Sequence, residues 1–132
     1  KRQQVTYLLR KITSLVKVKS PGLAVSCAVI PVTERAYSNA FQDWSGWLEE
    51  GIIDYVVLMS YTKDNQFAKE VVKSSLGHRG KGKIYVGMGV FLMKDNPDLF
   101  SNQLRLINDL VPDGVVLYSI DDLTDQVIGY LN

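Results

Sequence analysis

The sequence predicts an α/β fold in which four parallel strands are each reached through a helix. Four short segments rich in β-branched and apolar residues, Leu23 to Pro31, Asp54 to Tyr61, Lys83 to Phe91 and Gly114 to Ile120, start at positions 23, 54, 83 and 114. The intervals of 31, 29 and 31 residues are close to the roughly 30 that one strand, one helix and two loops occupy. The runs YVVLM and GVVLY are apolar almost without interruption, as strands covered on both faces are and half-wet antiparallel strands are not.

The helices between them follow from spacing and punctuation. Val5, Leu8, Leu9, Ile12, Leu15 and Val16 recur at helical intervals, and Pro21-Gly22 ends that segment. After the first strand, the stretch through Glu34 and Arg35 to Asp43 reads as a long loop with Tyr37 and Phe41. Asp43 then caps a helix carrying Trp44, Trp47 and Leu48, which Gly51 closes. Phe67, Val71, Val72 and Leu76 form the apolar side of the next, stopped by Gly77. Ser101 is expected to cap a fourth, with Leu104, Ile107, Leu110 and Val111 buried and Pro112 after it; Leu123 to Leu131 make a short fifth. Every strand-to-strand passage runs through a helix, so right-handed crossovers are expected.

Composition narrows the function classes. The 132 residues are 46 % hydrophobic and 22 % charged, which is ordinary globular usage. Fifteen Lys and Arg against fourteen Asp and Glu leave a net charge of +1. That provides no global field to recruit nucleic acid or an anionic membrane, and no run approaches the roughly 20 apolar residues of a membrane span. A lone Cys27 excludes an internal disulfide and a cysteine-rich metal site; a lone His78 argues against histidine-based triads and multi-histidine metal centres. Neither a metal nor a cofactor is expected. The chain opens on Lys1 inside a helical pattern, so residues 1–132 read as a single α/β domain that is a piece of something longer.

Two closures fit this order. Four strands covered on both faces would make a small doubly wound sheet, whereas four βα units at this spacing are also half of an eight-stranded barrel. In both, ligands meet the carboxyl ends of the strands. The first strand delivers Glu34 and Arg35 to that rim, although a solvated loop pair is the plainer reading of each. The second delivers Met59, Ser60, Tyr61 and Asp64. Alternation sets Tyr55, Val57, Met59 and Tyr61 on one face and Val56, Leu58 and Ser60 on the other. A tyrosine closing a buried strand can flank a polyhydroxylated ligand or bond a neighbouring strand; Asp64 can simply belong to the loop. Gly87 and Gly89 inside the third strand imply that a ligand or another part of the chain approaches closely, or that the strand bulges. The fourth delivers Tyr118, Ser119, Asp121 and Asp122, of which the aspartates can cap the last helix.

Gly77-His78-Arg79-Gly80-Lys81-Gly82-Lys83 looks like a phosphate cradle but precedes a strand, whereas a phosphate loop follows one and opens a helix. It reads as a solvated turn. Mid-strand Cys27 reads as a small buried hydrophobe, and Asp54, at the start of its strand, as structural.

The run Asp43-Trp44-Ser45-Gly46-Trp47-Leu48-Glu49-Glu50-Gly51-Ile52-Ile53-Asp54, leading into Val57-Leu58-Met59-Ser60-Tyr61-Thr62, resembles the bacterial glycosyl-hydrolase-like family ten. Members of that family show a helix rich in Asp and Trp, then G-x-I-D and a strand ending in a P-M-x-Y-T-like motif. Lys83-Ile84-Tyr85-Val86-Gly87-Met88-Gly89 looks like that family's next strand, and Gly114-Val115-Val116-Leu117-Tyr118-Ser119 like its last. Leu58 departs from the proline common in the family, and the last motif is approximate. A Met-x-Tyr strand ending and an aromatic on the last strand also occur in the chitinase-type family eighteen barrels.

The resemblance implies a (β/α)8 TIM barrel of which this chain carries strands five to eight, the carboxyl-terminal half. It implies an extracellular, periplasmic or envelope protein acting on a polysaccharide or cell-wall glycan. Glycosidic hydrolysis normally uses two carboxyl groups about 5 to 9.5 Å apart, or one with assistance from the substrate. In such barrels a principal acid is expected at the end of strand four, which would precede Lys1. This chain is then expected to be inactive alone and to supply the substrate side. Met59, Tyr61, Gly89 and Tyr118 would shape the sugar site, Ser60 and Ser119 would hydrogen bond, and Glu34 and Asp64 are the best local catalytic carboxylates. A non-catalytic carbohydrate-binding or structural α/β module is the alternative. A nucleotide- or phosphate-binding domain would need a glycine-rich loop where the chain reads Pro31-Val32-Thr33-Glu34-Arg35. Half a barrel exposes two sheet edges, and pairing with a second copy is one physical answer.

Overall fold

A computed structural model describes residues 1–131. The chain runs α1 (Arg2–Lys19), β1 (Ser26–Val29), α2 (Thr33–Asn39), α3 (Trp44–Glu49), β2 (Tyr55–Ser60), α4 (Asn65–Leu76), β3 (Lys83–Gly89), α5 (Pro97–Asn108), β4 (Gly114–Tyr118) and α6 (Asp125–Gly129), with single 3₁₀ turns at Val90–Leu92 and Ile120–Asp122. The strands form one parallel sheet in the sequential order β1-β2-β3-β4. Its four strands and three helical crossovers are those the thirty-residue repeat predicts.

The two faces of the sheet differ. Val29, Val56, Leu58, Ile84, Val86 and Met88 share one alternation face, and all are buried in a single core with Ala36, Trp44, Trp47, Leu48, Val72, Phe100, Ile107 and Val127 from α2 to α6. Tyr55, Val57, Met59 and Tyr85, on the other face, take no part in that core and are half-buried; Ala28, Val116 and Tyr118 are exposed. The helices thus cover one side of the sheet. A doubly wound sheet would cover both and reverse its strand order at a switch point, so this topology disfavours that closure.

A repeated clamp ties the strand beginnings together. The Asp54 carboxylate accepts from Val25 N at 2.6 Å while Asp54 N donates to Val25 O at 2.9 Å. Asp113 does the same two strands later, accepting from Ile84 N at 2.8 Å and donating to Ile84 O at 3.0 Å. The chemistry is written twice in the sequence, as Asp54-Tyr55-Val56-Val57-Leu58-Met59-Ser60 and Asp113-Gly114-Val115-Val116-Leu117-Tyr118-Ser119.

Local punctuation departs from expectation in several places. The stretch expected as a loop before Asp43 holds α2, whose Ala36 is fully buried. Asp43 precedes α3 but its side chain caps nothing; Gly51 does close that helix, at φ +71°, with Gly51 N donating to Leu48 O and Ile52 N to Trp47 O, a Schellman stop. Asn96, not Ser101, caps α5: its Oδ1 accepts from Leu99 N at 3.1 Å with Pro97 at the first position. Val111 falls beyond α5 and is exposed, as is Phe67 on α4. Thr124 caps α6, whereas Asp121 and Asp122 form the preceding 3₁₀ turn. Cys27 is half-buried, and burial pushes its thiol pKa up. On α1 the apolar stripe is real but only partly covered: Leu9 packs against the core, while Leu8, Ile12 and Leu15 are exposed and no residue of the helix is fully buried.

Candidate functional site

Because all four strands run parallel, their carboxyl ends open on one edge, and buried side chains hold those exits in place. At the end of β1, Ile30 N donates to Gln42 Oε1 at 2.9 Å and Trp44 Nε1 donates to Ile30 O at 3.0 Å. Ser75 Oγ donates to Pro31 O at 3.0 Å. At the end of β2, the fully buried Gln103 of α5 donates through Nε2 to Thr62 O and to Asn65 Oδ1, both at 3.0 Å. A buried amide placed this way fixes loop geometry, since losing its partners would leave polar groups dry.

Three aromatic rings meet above these exits. Tyr61 and Tyr118 are stacked with centroids 5.7 Å apart, and Phe91 stands edge-on to both, at 5.8 Å and 6.2 Å. Gly89 lies beneath: a Cβ there would sit 3.0 Å from Phe91 Cε1 and 3.2 Å from Tyr61 Cβ. The close approach that the strand glycines imply is therefore made by the chain's own rings. Tyr118 is 55 % and Phe91 39 % exposed, so the cluster offers ring surface to a ligand. Burial, and secondarily the neighbouring Tyr118, raise the pKa of the Tyr61 hydroxyl, keeping it a neutral donor and acceptor.

Beside the cluster, between the exits of β1 and β2, lies a cavity of about 320 Å³ walled by Ile30, Met59, Ser60, Tyr61, Phe67 and Arg35 among others. Ser60 is 4 % exposed and its hydroxyl has no hydrogen-bond partner among the described residues. An apolar, partly aromatic concavity with a few polar groups is the general form of a small-ligand site, and its rings suit the apolar faces of a sugar.

The sequence-predicted residues divide. Met59, Ser60, Tyr61, Gly89 and Tyr118 come together at this edge. Ser119 follows Tyr118, but its hydroxyl donates to Asp122 Oδ2 at 3.0 Å, and Lys94 Nζ lies 3.7 Å from Asp122 Oδ1. Asp64 is the N-cap of α4, its Oδ1 accepting from Phe67 N at 2.9 Å. Glu34 sits exposed on the first turn of α2, takes a 3.2 Å hydrogen bond from Thr33 Oγ1, and lines a different hollow of about 290 Å³ with Tyr37, Asp43 and His78. The two candidate carboxylates thus do not share the cavity that holds Tyr61.

Phe91 and Gln103 were not singled out by the sequence. Phe91 lies in the 3₁₀ turn two residues beyond Gly89, the position in register with Tyr118, so aligning the strand ends does not point to it. Nothing in the sequence separates Gln103 from the polar residues of a solvated helix face. Among the described residues, no three His, Cys, Asp or Glu side chains gather into a group that could hold a metal, and no helix is long and apolar enough to cross a membrane.

The family model described as Glycosyl hydrolase-like 10 matches residues 1–93. The match reaches through β3 and Phe91 and stops before β4, so the resemblance read at Gly114 to Ser119 lies outside it. Neither the curated proteins nor the solved structures yield a match.

Proposed function

The chain belongs to the glycosyl hydrolase-like 10 family, and from that premise we propose that it forms strands five to eight of a (β/α)8 barrel and supplies the substrate side of a glycan-binding mouth. The sequential strand order with helices on one face supports this, because it is how one half of a barrel is wound. Two incompletely covered apolar surfaces support it as well: the Val57, Met59 and Val116 face of the sheet would point into the barrel, and the exposed Leu8, Ile12 and Leu15 of α1 would pack on the preceding unit. On this reading the edges β1 and β4 pair with the complementary half, and pairing of two copies is the other way to cover them. Action on a polysaccharide at the envelope or outside the cell goes with the same proposal.

The observation that carries the sugar reading is the Tyr61, Phe91 and Tyr118 cluster beside an apolar cavity at the strand carboxyl ends. Titration of the intact protein with cell-wall and polysaccharide oligosaccharides, read by calorimetry, tests it. Saturable binding that Tyr61→Ala weakens is expected, and no binding to any of them sinks the proposal.

A second reading, a carbohydrate-binding module without turnover, is favoured by the employment of Asp64 as a helix cap and the placement of Glu34 on another hollow. Under it, the protein keeps its affinity and releases no reducing ends. Under the first, proton transfer falls to carboxylates other than these two, so Glu34→Gln and Asp64→Asn leave cleavage standing.

A further inference from the structure

The cavity between the exits of β1 and β2 carries one fixed charge. Arg35 is among the residues that wall it, and no Asp or Glu is. Among the described residues the ion pairs are Arg10 with Glu50, Lys17 with Asp54, Arg79 with Asp113 and Lys94 with Asp122, so the Arg35 guanidinium has no counter-charge. Glu34, next to it in sequence, lines the hollow that holds His78 and, with Glu70, an adjoining one that shares Pro31, Val32 and Phe67 with this cavity, and Asp64 binds Phe67 N. Ile30, Met59 and Phe67 share the wall with Arg35, and an unpaired guanidinium at the rim of an apolar hollow is a donor fork for an anion that enters it. Ser60 is also among the lining residues; its hydroxyl has no partner among the described residues and is closed off in the present rotamer, so it reaches a ligand by turning about χ1 toward the cavity. A hydroxyl rotates freely about its C–O bond and donates to whichever acceptor comes within reach.

We propose that this cavity is a subsite for a carboxylate-bearing sugar, with Arg35 pairing with the carboxylate and Ser60 donating to one of its oxygens. The proposal rests on the carbohydrate reading above and deepens it by naming the substrate class. A planar carboxylate matches the two parallel N–H groups of a guanidinium, and the Tyr61 ring on the same wall takes an apolar face of the sugar. A neutral sugar would fill the same space and leave Arg35 unpaired, which is what makes the subsite selective.

The test titrates the intact protein with tetragalacturonate and tetramannuronate, each beside its carboxyl-reduced counterpart, and with a sulfated neutral tetrasaccharide. An acidic tetramer is expected to bind at least tenfold more tightly than its reduced form. Arg35→Gln is expected to abolish that preference while leaving the reduced form's affinity unchanged. Arg35→Lys is expected to restore part of it, and Ser60→Ala to lower acidic binding several-fold. Arg35 is exposed, so its variants are expected to melt with the wild type, and a matched thermal transition confirms that they fold. Equal affinity for acidic and reduced forms, or equal weakening of both by Arg35→Gln, overturns the subsite and leaves the carbohydrate reading standing. A preference confined to the sulfated probe overturns the carboxylate assignment. Binding of none of these probes overturns the subsite, whereas the carbohydrate reading falls only if the wider oligosaccharide set also fails.

Discussion

Tyr61 and Tyr118 stack across β3 with their ring planes 17° apart. Gly89, which stands between them, pairs in register with Tyr118. The rings come from strands that are not neighbours, and they meet only because the intervening strand has no side chain at that point. A functional edge is thus assembled by a glycine, and the ring left more open is Tyr118.

Replacing Tyr118 by alanine separates ligand contact from folding. The side chain is 55 % exposed but stacks on Tyr61 and meets Phe91 edge-on, so the loss of stability is expected to stay near the worth of those pairs, about 1 kcal/mol. Loss of one stacking ring is expected to cost about 1 kcal/mol of glycan affinity, roughly five- to tenfold in Kd. Calorimetric titration beside a melting curve reads both, and unchanged affinity would remove Tyr118 from the sugar site.

The strand glycines predict a graded effect. At Gly87 a Cβ would stand 2.9 Å from the Leu58 carbonyl oxygen, which is backbone in the middle of the sheet and has nowhere to go. Gly87→Ala is expected to destabilise by about 1–3 kcal/mol, as overpacking does. At Gly89 the closest atom is Cε1 of the Phe91 ring, at 3.0 Å, which can swing, whereas Tyr61 Cβ at 3.2 Å is held by its backbone and must give slightly. Gly89→Ala is therefore expected to cost less stability and more ligand affinity than Gly87→Ala. Denaturant unfolding of both variants, set against glycan titration, checks the order.

Gln103 predicts a loop effect from a residue remote from the ligand. Its amide is fully buried and donates to Thr62 O and Asn65 Oδ1. Gln103→Leu keeps the volume and strands both acceptors, for an expected loss of about 1–3 kcal/mol. Thr62 walls the cavity beside Tyr61, so ligand affinity is expected to fall with stability. Amide exchange at residues 62–65 is the specific readout, because a purely packing role would not loosen that exit alone.

What the sequence made legible was what repeats or alternates. The βα order and the face shared by Val56 and Leu58 follow from period and alternation, and Tyr61 and Tyr118 follow from their positions at strand ends. Caps were less legible, because Asn96 and Ser101 both suit a helix start and only the backbone decides between them. The role of Asp64 was likewise hidden, since a capping carboxylate and a catalytic one look alike until Phe67 N is found 2.9 Å away. Phe67 itself carries a helical period and still faces outward, because the surface it would cover is not sheet but the mouth of a cavity.

Asp54 sets a pH dependence whose sign can be worked out. Its carboxylate accepts from Lys17 Nζ at 2.8 Å and from Val25 N at 2.6 Å. The Lys17 hydrogen bond first, then that from Val25, hold its pKa below the ordinary 3.8, against a smaller opposing push from burial. A depressed folded-state pKa means that the contribution is fully present above the unfolded value, near 4, and is lost as the pH falls below it through the folded value. Both side chains are more than a third exposed, so the contribution is expected to be at most about 1 kcal/mol after screening. Asp54→Asn keeps an oxygen for Val25 N and removes the charge. The stability gap between wild type and Asp54→Asn is therefore expected to be largest near pH 6 and to close below pH 4. Lys17→Met is expected to shrink that gap at pH 6, and high salt to reduce it in the wild-type background. Urea unfolding across pH measures this, and a gap that persists unchanged to pH 2 would mean that the aspartate acts through shape and not through charge.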